Sequence, residues 1–246
     1  MKNISHIPAL EVSNLTVLYN NSVVLSDCTV SISRGVMLGI IGPNGAGKTT
    51  FIKSILELIP KKSGKVLLLG DNFKKVHKCI AYVAQRHSID WDFPLTVFDM
   101  VLMGCYGKLG WFRRPGKPEY AQTYEALVAV GLERYANEPI GVLSGGQQQR
   151  AFIARALMQD AHIYFLDEPF AGVDLPTEKI IVELLQKLRD QGKTIIVVHH
   201  DILTAPTYFD WALLLNKKVV ACGPIEEVLT QRNFENVYGN KLNLHF

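Results

Sequence analysis

The chain has 246 residues, of which 48% are hydrophobic and 20% are charged, so it can bury a sizeable core and does not have the composition of a disordered protein. Its 26 Lys and Arg residues against 23 Asp and Glu residues give a formal net charge of +3, well short of the basic excess typical of nucleic-acid-binding domains. No apolar run approaches the roughly 18 residues needed to cross a bilayer, and the first ten residues lack the apolar stretch of a signal peptide, so neither kind of segment is expected.

Short apolar runs alternate with longer helical patterns, an order typical of an α/β fold with a parallel sheet. Residues 10–18 and 23–32 differ from the rest, because they alternate like antiparallel strands around the turn-prone pair Asn20-Asn21. They predict an N-terminal antiparallel β subdomain. The other predicted elements are a buried strand over 36–41, a helix from 48 to about 59 ended by Pro60, strands over 65–69, 80–84, 163–166 and 194–198, and a helix that ends near 192.

The segment 90–143 is rich in aromatic residues and helical patterns, and it predicts an inserted helical subdomain. We therefore expect one domain over 1–246, with a core of about 1–89 and 151–246 and a helical subdomain of about 90–150. Gly131 is expected to cap a helix of that subdomain. One face of this helix is predicted to consist of Tyr120, Tyr124, Leu127 and Val128.

A glycine-rich loop follows the predicted strand 36–41. Residues 42–50 read GPNGAGKTT and match the phosphate-binding pattern G-x-x-x-x-G-K-[ST]. Glycines let backbone N–H groups turn towards an anion, and the following helix directs its positive end at the same point. Lys48 is expected to reach the β- and γ-phosphates of a nucleotide, and Thr49 to hold Mg²⁺. The predicted nucleotide-binding residues are Gly42, Pro43, Asn44, Gly45, Ala46, Gly47, Lys48, Thr49 and Thr50.

Two adjacent carboxylates end another apolar strand, in the sequence IYFLDE of residues 163–168. The carboxyl edge of an open α/β sheet is where ligands bind. Asp167 is expected to help hold Mg²⁺, and Glu168 to orient or deprotonate an attacking water.

A second glycine loop, LSGGQQQR, occupies residues 143–150 and precedes a helix predicted over about 148–158. Ser144 is a natural N-cap, and Gly145 and Gly146 allow close approach of the backbone. This helix N-terminus suits an anion, although the composition fits a capped helix without a ligand equally well. Because the first loop already accommodates one nucleotide, the second is expected to serve a phosphate elsewhere.

The order of these three motifs resembles that of the ATP-binding cassette (ABC) ATPases over essentially the whole chain. LSGGQ matches the signature motif of that superfamily without a mismatch, and Gly146 and Asp167 have the family's spacing of 21 residues. The resemblance implies an α/β fold, namely a P-loop ABC ATPase core with an N-terminal antiparallel β subdomain and an inserted helical subdomain. It also implies hydrolysis of ATP with Mg²⁺.

The resemblance assigns roles to further single residues. Tyr19 is similar in position to the aromatic residue that stacks on adenine, and Gln85 to the residue that senses Mg²⁺ and the γ-phosphate. Asp174, in AGVDL, is implied to cross a dimer interface. His200 is assigned to the γ-phosphate, while the doublet with His199 leaves open which imidazole faces it. The implied catalytic residues are thus Glu168, His200, Gln85 and Lys48, and the implied metal ligands are Thr49, Gln85 and Asp167.

Members of this family work as head-to-tail pairs, in which each ATP lies between the phosphate loop of one subunit and the LSGGQ loop of the other. The resemblance therefore implies a homodimer or a paired ABC subunit, with nucleotide contacts from Ser144, Gly145, Gly146 and Gln147. It also implies a separate integral membrane permease and a peripheral location on the cytoplasmic face of the inner membrane.

The stretch 85–104, QRHSIDWDFPLTVFDMVLMG, resembles the bacterial subfamily that powers manganese, zinc and iron importers. An extracytoplasmic metal-binding protein is then an indirect partner. Trp91, Phe93 and Phe98 are candidate anchors for a permease helix, although they suit the core of the helical subdomain equally well.

Other functions remain to be weighed against this one. An importer ATPase for an iron chelate, such as a siderophore or haem, is the nearest alternative. A soluble ABC protein of DNA repair or translation would carry a coiled-coil insertion or a tandem cassette, and the chain shows neither, so no nucleic-acid partner is expected. A non-hydrolysing ATP switch is disfavoured because Glu168 and His200 are both present.

Overall fold

The computed structural model describes residues 7–85, 94–110 and 113–239. Its strands are β1 (Leu10–Tyr19), β2 (Ser22–Ile32), β3 (Met37–Ile41), β4 (Ser63–Leu68), β5 (Ile80–Val83), β6 (Ile163–Asp167), β7 (Thr194–Val198), β8 (Trp211–Asn216) and β9 (Lys218–Pro224). Its α-helices are α1 (Lys48–Ile55), α2 (Phe73–Val76), α3 (Val97–Leu102), α4 (Tyr106–Leu109), α5 (Lys117–Ala129), α6 (Gly145–Leu157), α7 (Leu175–Asp190), α8 (Ala205–Tyr208), α9 (Ile225–Val228) and α10 (Gln231–Tyr238).

The predicted N-terminal antiparallel unit is confirmed as a sheet in the order β2-β1-β4. Strands β1 and β2 join through Asn20 and Asn21, whose φ angles of 46° and 63° are left-handed. Two such residues in succession form the turn whose twist suits a hairpin, and asparagine tolerates that region. The pair Asn20-Asn21 therefore sets the register in which Tyr19 lies opposite Ser22.

The second sheet has the order β5-β6-β7-β3-β8-β9. Neighbouring strands from β5 to β8 pair in parallel, and β9 pairs antiparallel to β8. Every residue of β3, β6 and β7 is buried, as expected for central strands of a sheet that is covered on both faces.

Successive residues of the central strands face two separate cores, because side chains alternate across a sheet. One core contains Leu38 and Ile40 and lies against α1 and the three-stranded sheet. The other contains Met37 and Ile41 and lies against α6, α7 and α10. Helices α3, α5 and α6 pack on one another, and α6 also contacts β5.

Two predicted helix boundaries are wrong. Helix α1 ends at Ile55 instead of about residue 59, because the chain turns through Glu57, whose φ is 54°. Helix α6 begins at Gly145 instead of about residue 148, because Ser144 caps it directly and starts the helix within the glycine pair.

The face of α5 predicted from the sequence is largely the exposed face of the helix. Tyr120, Tyr124 and Val128 are exposed, with relative exposures of 50%, 52% and 52%. Leu127 alone among the four predicted residues is buried, and it shares the core with Thr123 and Ala126. Gly131 follows the helix with a φ of 65°, in agreement with its predicted capping role.

Within the described part of the chain, none of the helices combines the length and apolar character required to span a bilayer.

Candidate active site

Part of the predicted site lies at the carboxyl ends of four neighbouring strands. Gly42 follows β3, Gln85 follows β5, Asp167 ends β6, and His199 follows β7. In the sheet order these strands stand side by side, so the phosphate loop, the carboxylates and the histidine doublet share one edge. This is the edge at which open α/β sheets bind ligands.

Backbone geometry explains two glycines of the phosphate loop. A Cβ at Gly42 would lie 2.0 Å from the carbonyl oxygen of Leu215, so no larger residue fits there. Gly47 has a φ of 94° and precedes α1 as an N-cap without a side-chain hydrogen bond. The N-terminus of α1 therefore keeps backbone donors for an anion.

The side chain of Lys48 folds back into this loop. It is buried, and its Nζ donates hydrogen bonds to the carbonyl oxygens of Gly42 at 2.8 Å and Pro43 at 3.1 Å. Burial lowers the pKa of Lys48, while the nearby carboxylates of Glu168 and Asp167 act in the opposite direction. The loop thus surrounds the amino group of Lys48 with its own carbonyl oxygens.

Thr49 and Asp167 meet although they are 118 residues apart in sequence. The hydroxyl of Thr49 donates to Oδ1 of Asp167 at 2.9 Å. Asp167 is fully buried, and its Oδ2 has no hydrogen-bond partner among the described residues. Burial raises the pKa of Asp167, and the bond from Thr49 partly offsets this effect. A hydroxyl beside a carboxylate with an unused oxygen is the donor set that a hard divalent cation prefers.

One cleft brings eight of the predicted residues together, namely most of the phosphate loop and Glu168. It is lined by Asn44, Gly45, Ala46, Gly47, Lys48, Thr49, Thr50, Glu168 and Val24. Glu168 is half-buried there and has a left-handed φ of 52°. Val24 was missed by the sequence analysis, since a strand valine carries no signal for a ligand.

The LSGGQ loop does not join this cleft. Oγ of Ser144 accepts from the backbone N–H of Gln147, and the side chain of Gln147 accepts from the backbone N–H of Ser144 at 2.8 Å. This reciprocal capping box confirms the predicted N-cap. Residues 144–147 do not line the cleft of their own chain.

The other predicted residues outside the cleft lining are Gly42, Pro43, Gln85, Asp167, Tyr19, Asp174 and His200. Tyr19 ends β1 with 64% exposure, which leaves its ring open to a flat partner. Asp174 is exposed and caps α7 by accepting from the backbone N–H of Thr177, a contact that lowers the pKa of Asp174. Gln85 is half-buried just beyond β5.

The two adjacent histidines have opposite environments. His199 is 2% exposed, and its Nε2 lies 2.8 Å from Oγ1 of Thr204. His200 is exposed at the sheet edge. Of the two imidazoles left open by the sequence, the one of His200 is therefore accessible to a ligand.

Comparison of the chain with known protein families gives a family in which a phosphate-binding loop of this kind is expected. Residues 25–171 match the ABC transporter family. The chain belongs to that family. As an ABC ATPase it binds and hydrolyses ATP, in agreement with the predicted fold and the predicted activity.

Similar ABC proteins cover nearly all of the chain. The manganese transport system ATP-binding protein MntB of Bacillus subtilis (strain 168) is 51% identical over 95% of this chain and 93% of that protein. The zinc transport system ATP-binding protein TroB of Treponema pallidum (strain Nichols) is 51% identical over 95% of this chain and 88% of that protein. Among solved structures, an inward-facing transporter described as of the metal-chelate ABC type has a TM-score of 0.82 and 28% identity, over 94% of this chain and 89% of that one.

Proposed function

We propose that this chain is the ATP-hydrolysing subunit of a bacterial importer for a transition-metal ion. Manganese and zinc are favoured as the cargo over iron. The observation that carries the proposal is the 51% identity, over 95% of the chain, to ATP-binding proteins of manganese and zinc transport systems. Identity to the transporter of metal-chelate type is only 28%, which disfavours an iron-chelate cargo.

ATP is bound in this proposal by residues 42–50, with Lys48 on the terminal phosphates and Tyr19 stacked on adenine. Thr49, Asp167 and Gln85 would hold Mg²⁺, and the unused buried oxygen of Asp167 supports this assignment. When bound, Mg²⁺ supplies positive charge that neutralises the phosphate oxygens.

Hydrolysis depends on the groups around the terminal phosphate. Glu168 lines the cleft with Lys48 and accepts the proton of the attacking water. His200 donates to the γ-phosphate, for which its exposed position at the sheet edge is suitable.

A second subunit completes each site. Because residues 144–147 do not line the cleft of their own chain, we propose that they cover the ATP of a partner, as a homodimer or with another ABC subunit. Gly145 and Gly146 open α6, so this helix directs its positive end at the anion. Asp174 then lies at the interface between subunits.

Permease contact is assigned to a basic cleft between His77 and Lys78 and the helical subdomain, which we place at about residues 90–150. This basic cleft has a volume of about 840 Å³, and its described lining contains no acidic residue. Phe98 stacks on Tyr120 at its rim, with ring centroids 5.8 Å apart, while Trp91 and Phe93 lie outside the described residues. The lining residues are His77, Lys78, Leu102, Tyr106, Gly107, Gly110, Arg113, Arg114, Pro115 and Tyr120.

An integral membrane permease would thus hold the chain at the cytoplasmic face of the membrane as a peripheral subunit. A metal-binding protein on the opposite side would act on it only through the permease. The charge of the basic cleft favours an acidic permease segment.

Reversing two charges of the basic cleft tests this contact. We expect Arg113→Glu with Arg114→Glu to weaken co-purification with the permease by at least about tenfold, because both side chains would repel an acidic segment. ATP turnover of the isolated subunit should stay unchanged, since neither residue lines the nucleotide cleft. The control is Lys61→Glu with Lys62→Glu, an equal reversal at exposed positions. Equal permease binding by the two double variants would contradict the assignment.

Cargo is tested by ATP turnover of the subunit with its own permease and binding protein. We expect binding protein loaded with Mn²⁺ or Zn²⁺ to stimulate turnover several-fold over the metal-free protein. Fe²⁺ and ferric chelates serve as the comparison. A complex that hydrolyses ATP but responds to none of these metals would contradict the metal cargo and leave the family assignment intact.

A further inference from the structure

A buried histidine next to the proposed phosphate sensor has no role in the function described so far. The backbone N–H of His199 donates to the carbonyl oxygen of Ile40 at 3.0 Å, just before the phosphate loop. Its side chain turns away from the nucleotide cleft into the core. His199 therefore marks the point where β7 ends and the segment carrying His200 begins.

Hydrogen bonds close this segment into a small loop. Nε2 of His199 lies 2.8 Å from Oγ1 of Thr204, and that hydroxyl lies 3.4 Å from the carbonyl oxygen of Asp201. Oδ1 of Asp201 accepts from the backbone N–H of Leu203 at 2.9 Å. His200 lies in sequence between His199 and Thr204, so its position depends on the contact between these two residues.

Aromatic packing joins the imidazole of His199 to the segment after β6, which carries Glu168. The ring of Phe170 meets that of His199 edge-on, with centroids 5.5 Å apart. The rings of Tyr208 and Phe209 also pack around the imidazole of His199, with centroid distances of 5.9 and 5.3 Å. Phe170 follows Glu168 by two residues, and His199 directly precedes His200. The contact between Phe170 and His199 therefore joins the segments that carry the two proposed hydrolytic residues.

His199 is suited to a buried place because it stays uncharged. Burial, and to a smaller degree the neighbouring His200, lowers the pKa of His199 to about 4. Its Nδ1 has no hydrogen-bond partner among the described residues, so the ring is oriented through Nε2, which contacts Thr204.

We infer that His199 is a positioning residue for hydrolysis, which fixes the spacing between Glu168 and His200 through its contacts with Thr204 and Phe170. This inference rests on the hydrolytic roles proposed for those two residues. Small displacements of a reacting group are costly, and an error of about 1 Å can lower a rate by up to about 10²-fold. The expected effect is therefore on kcat, while the nucleotide-binding loop keeps its shape.

The test compares Thr204→Val, Thr204→Ser and His199→Phe in steady-state ATP hydrolysis. Thr204→Val keeps the side-chain shape but removes the hydroxyl, and we expect kcat to fall by about tenfold with KM for ATP changed less than about twofold. Thr204→Ser restores the hydroxyl and should restore kcat. His199→Phe keeps an aromatic ring without the hydrogen bond, and combining it with Thr204→Val should lower kcat no further, since both changes remove one contact.

Thr207→Val is the matched control, because Thr207 is exposed on α8 and the same change there should leave kcat unaltered. Wild-type kcat in both Thr204→Val and His199→Phe would overturn the inference, and so would an equal loss in Thr204→Val and Thr204→Ser. Failure of the wild-type chain to hydrolyse ATP would instead count against the proposed function.

Discussion

Glu168→Gln is expected to lower the ATP turnover number by about 10²- to 10⁴-fold, the usual cost of losing a general base. The amide keeps the size of the side chain in the nucleotide cleft but cannot accept a proton from water. ATP affinity should persist, because the phosphate loop is untouched. We further expect ATP to trap this variant as a dimer, which size-exclusion chromatography with and without ATP will detect.

The matched control for this variant is Glu183→Gln on the exposed face of α7. It should hydrolyse ATP at the wild-type rate and show no ATP-trapped dimer. Robust hydrolysis by Glu168→Gln would remove Glu168 as the base.

Lys48→Ala should weaken ATP binding by at least about tenfold, because a charge-assisted hydrogen bond to a phosphate is typically worth about 1.5–3 kcal/mol. Turnover should fall as well, since the same ammonium group stabilises charge on the reacting phosphate. The variant also removes the donor now shared by the carbonyl oxygens of Gly42 and Pro43. Isothermal titration with ATP and steady-state kinetics measure the two effects separately.

Lys187→Ala, at an exposed position of α7, is the control for loss of one lysine charge. It should bind ATP like the wild type. Unaltered affinity and rate in Lys48→Ala would contradict the assignment of residues 42–50 as the phosphate loop.

The sequence predicted those parts of the fold that depend on neighbouring residues. The turn at Asn20-Asn21, the strand 194–198 and the N-cap at Ser144 were all correct, because each is decided by local backbone preference or by alternation. Even here, intrinsic propensity misplaced the start of α6. Glycine is a poor helix former, yet Gly145 begins the helix because the capping box outweighs its propensity.

Contacts between distant segments could not be predicted in this way. The hydrogen bond from Thr49 to Asp167 joins residues 118 apart, and the packing of Phe170 on His199 depends on two strand ends being adjacent. Periodicity likewise could not tell which face of α5 is covered. It shows which residues share a side, but which side is covered depends on α3 and α6, whose positions come from the whole fold.

The order β5-β6-β7-β3 places the residues at the nucleotide-binding edge of the sheet at regular intervals. Adjacent strands stand about 4.8 Å apart, so the residues that follow β5, β6, β7 and β3 sample a line about 14 Å wide at regular steps. Backbone pairing sets these steps at the strand ends, whereas the place of a residue in the loops beyond them, such as His200, depends on side-chain contacts. Substitutions in the core below the strand ends should therefore lower thermal stability well before they alter the distances between Gln85, Asp167 and Gly42, so that stability and the spacing of these strand ends can change independently during evolution.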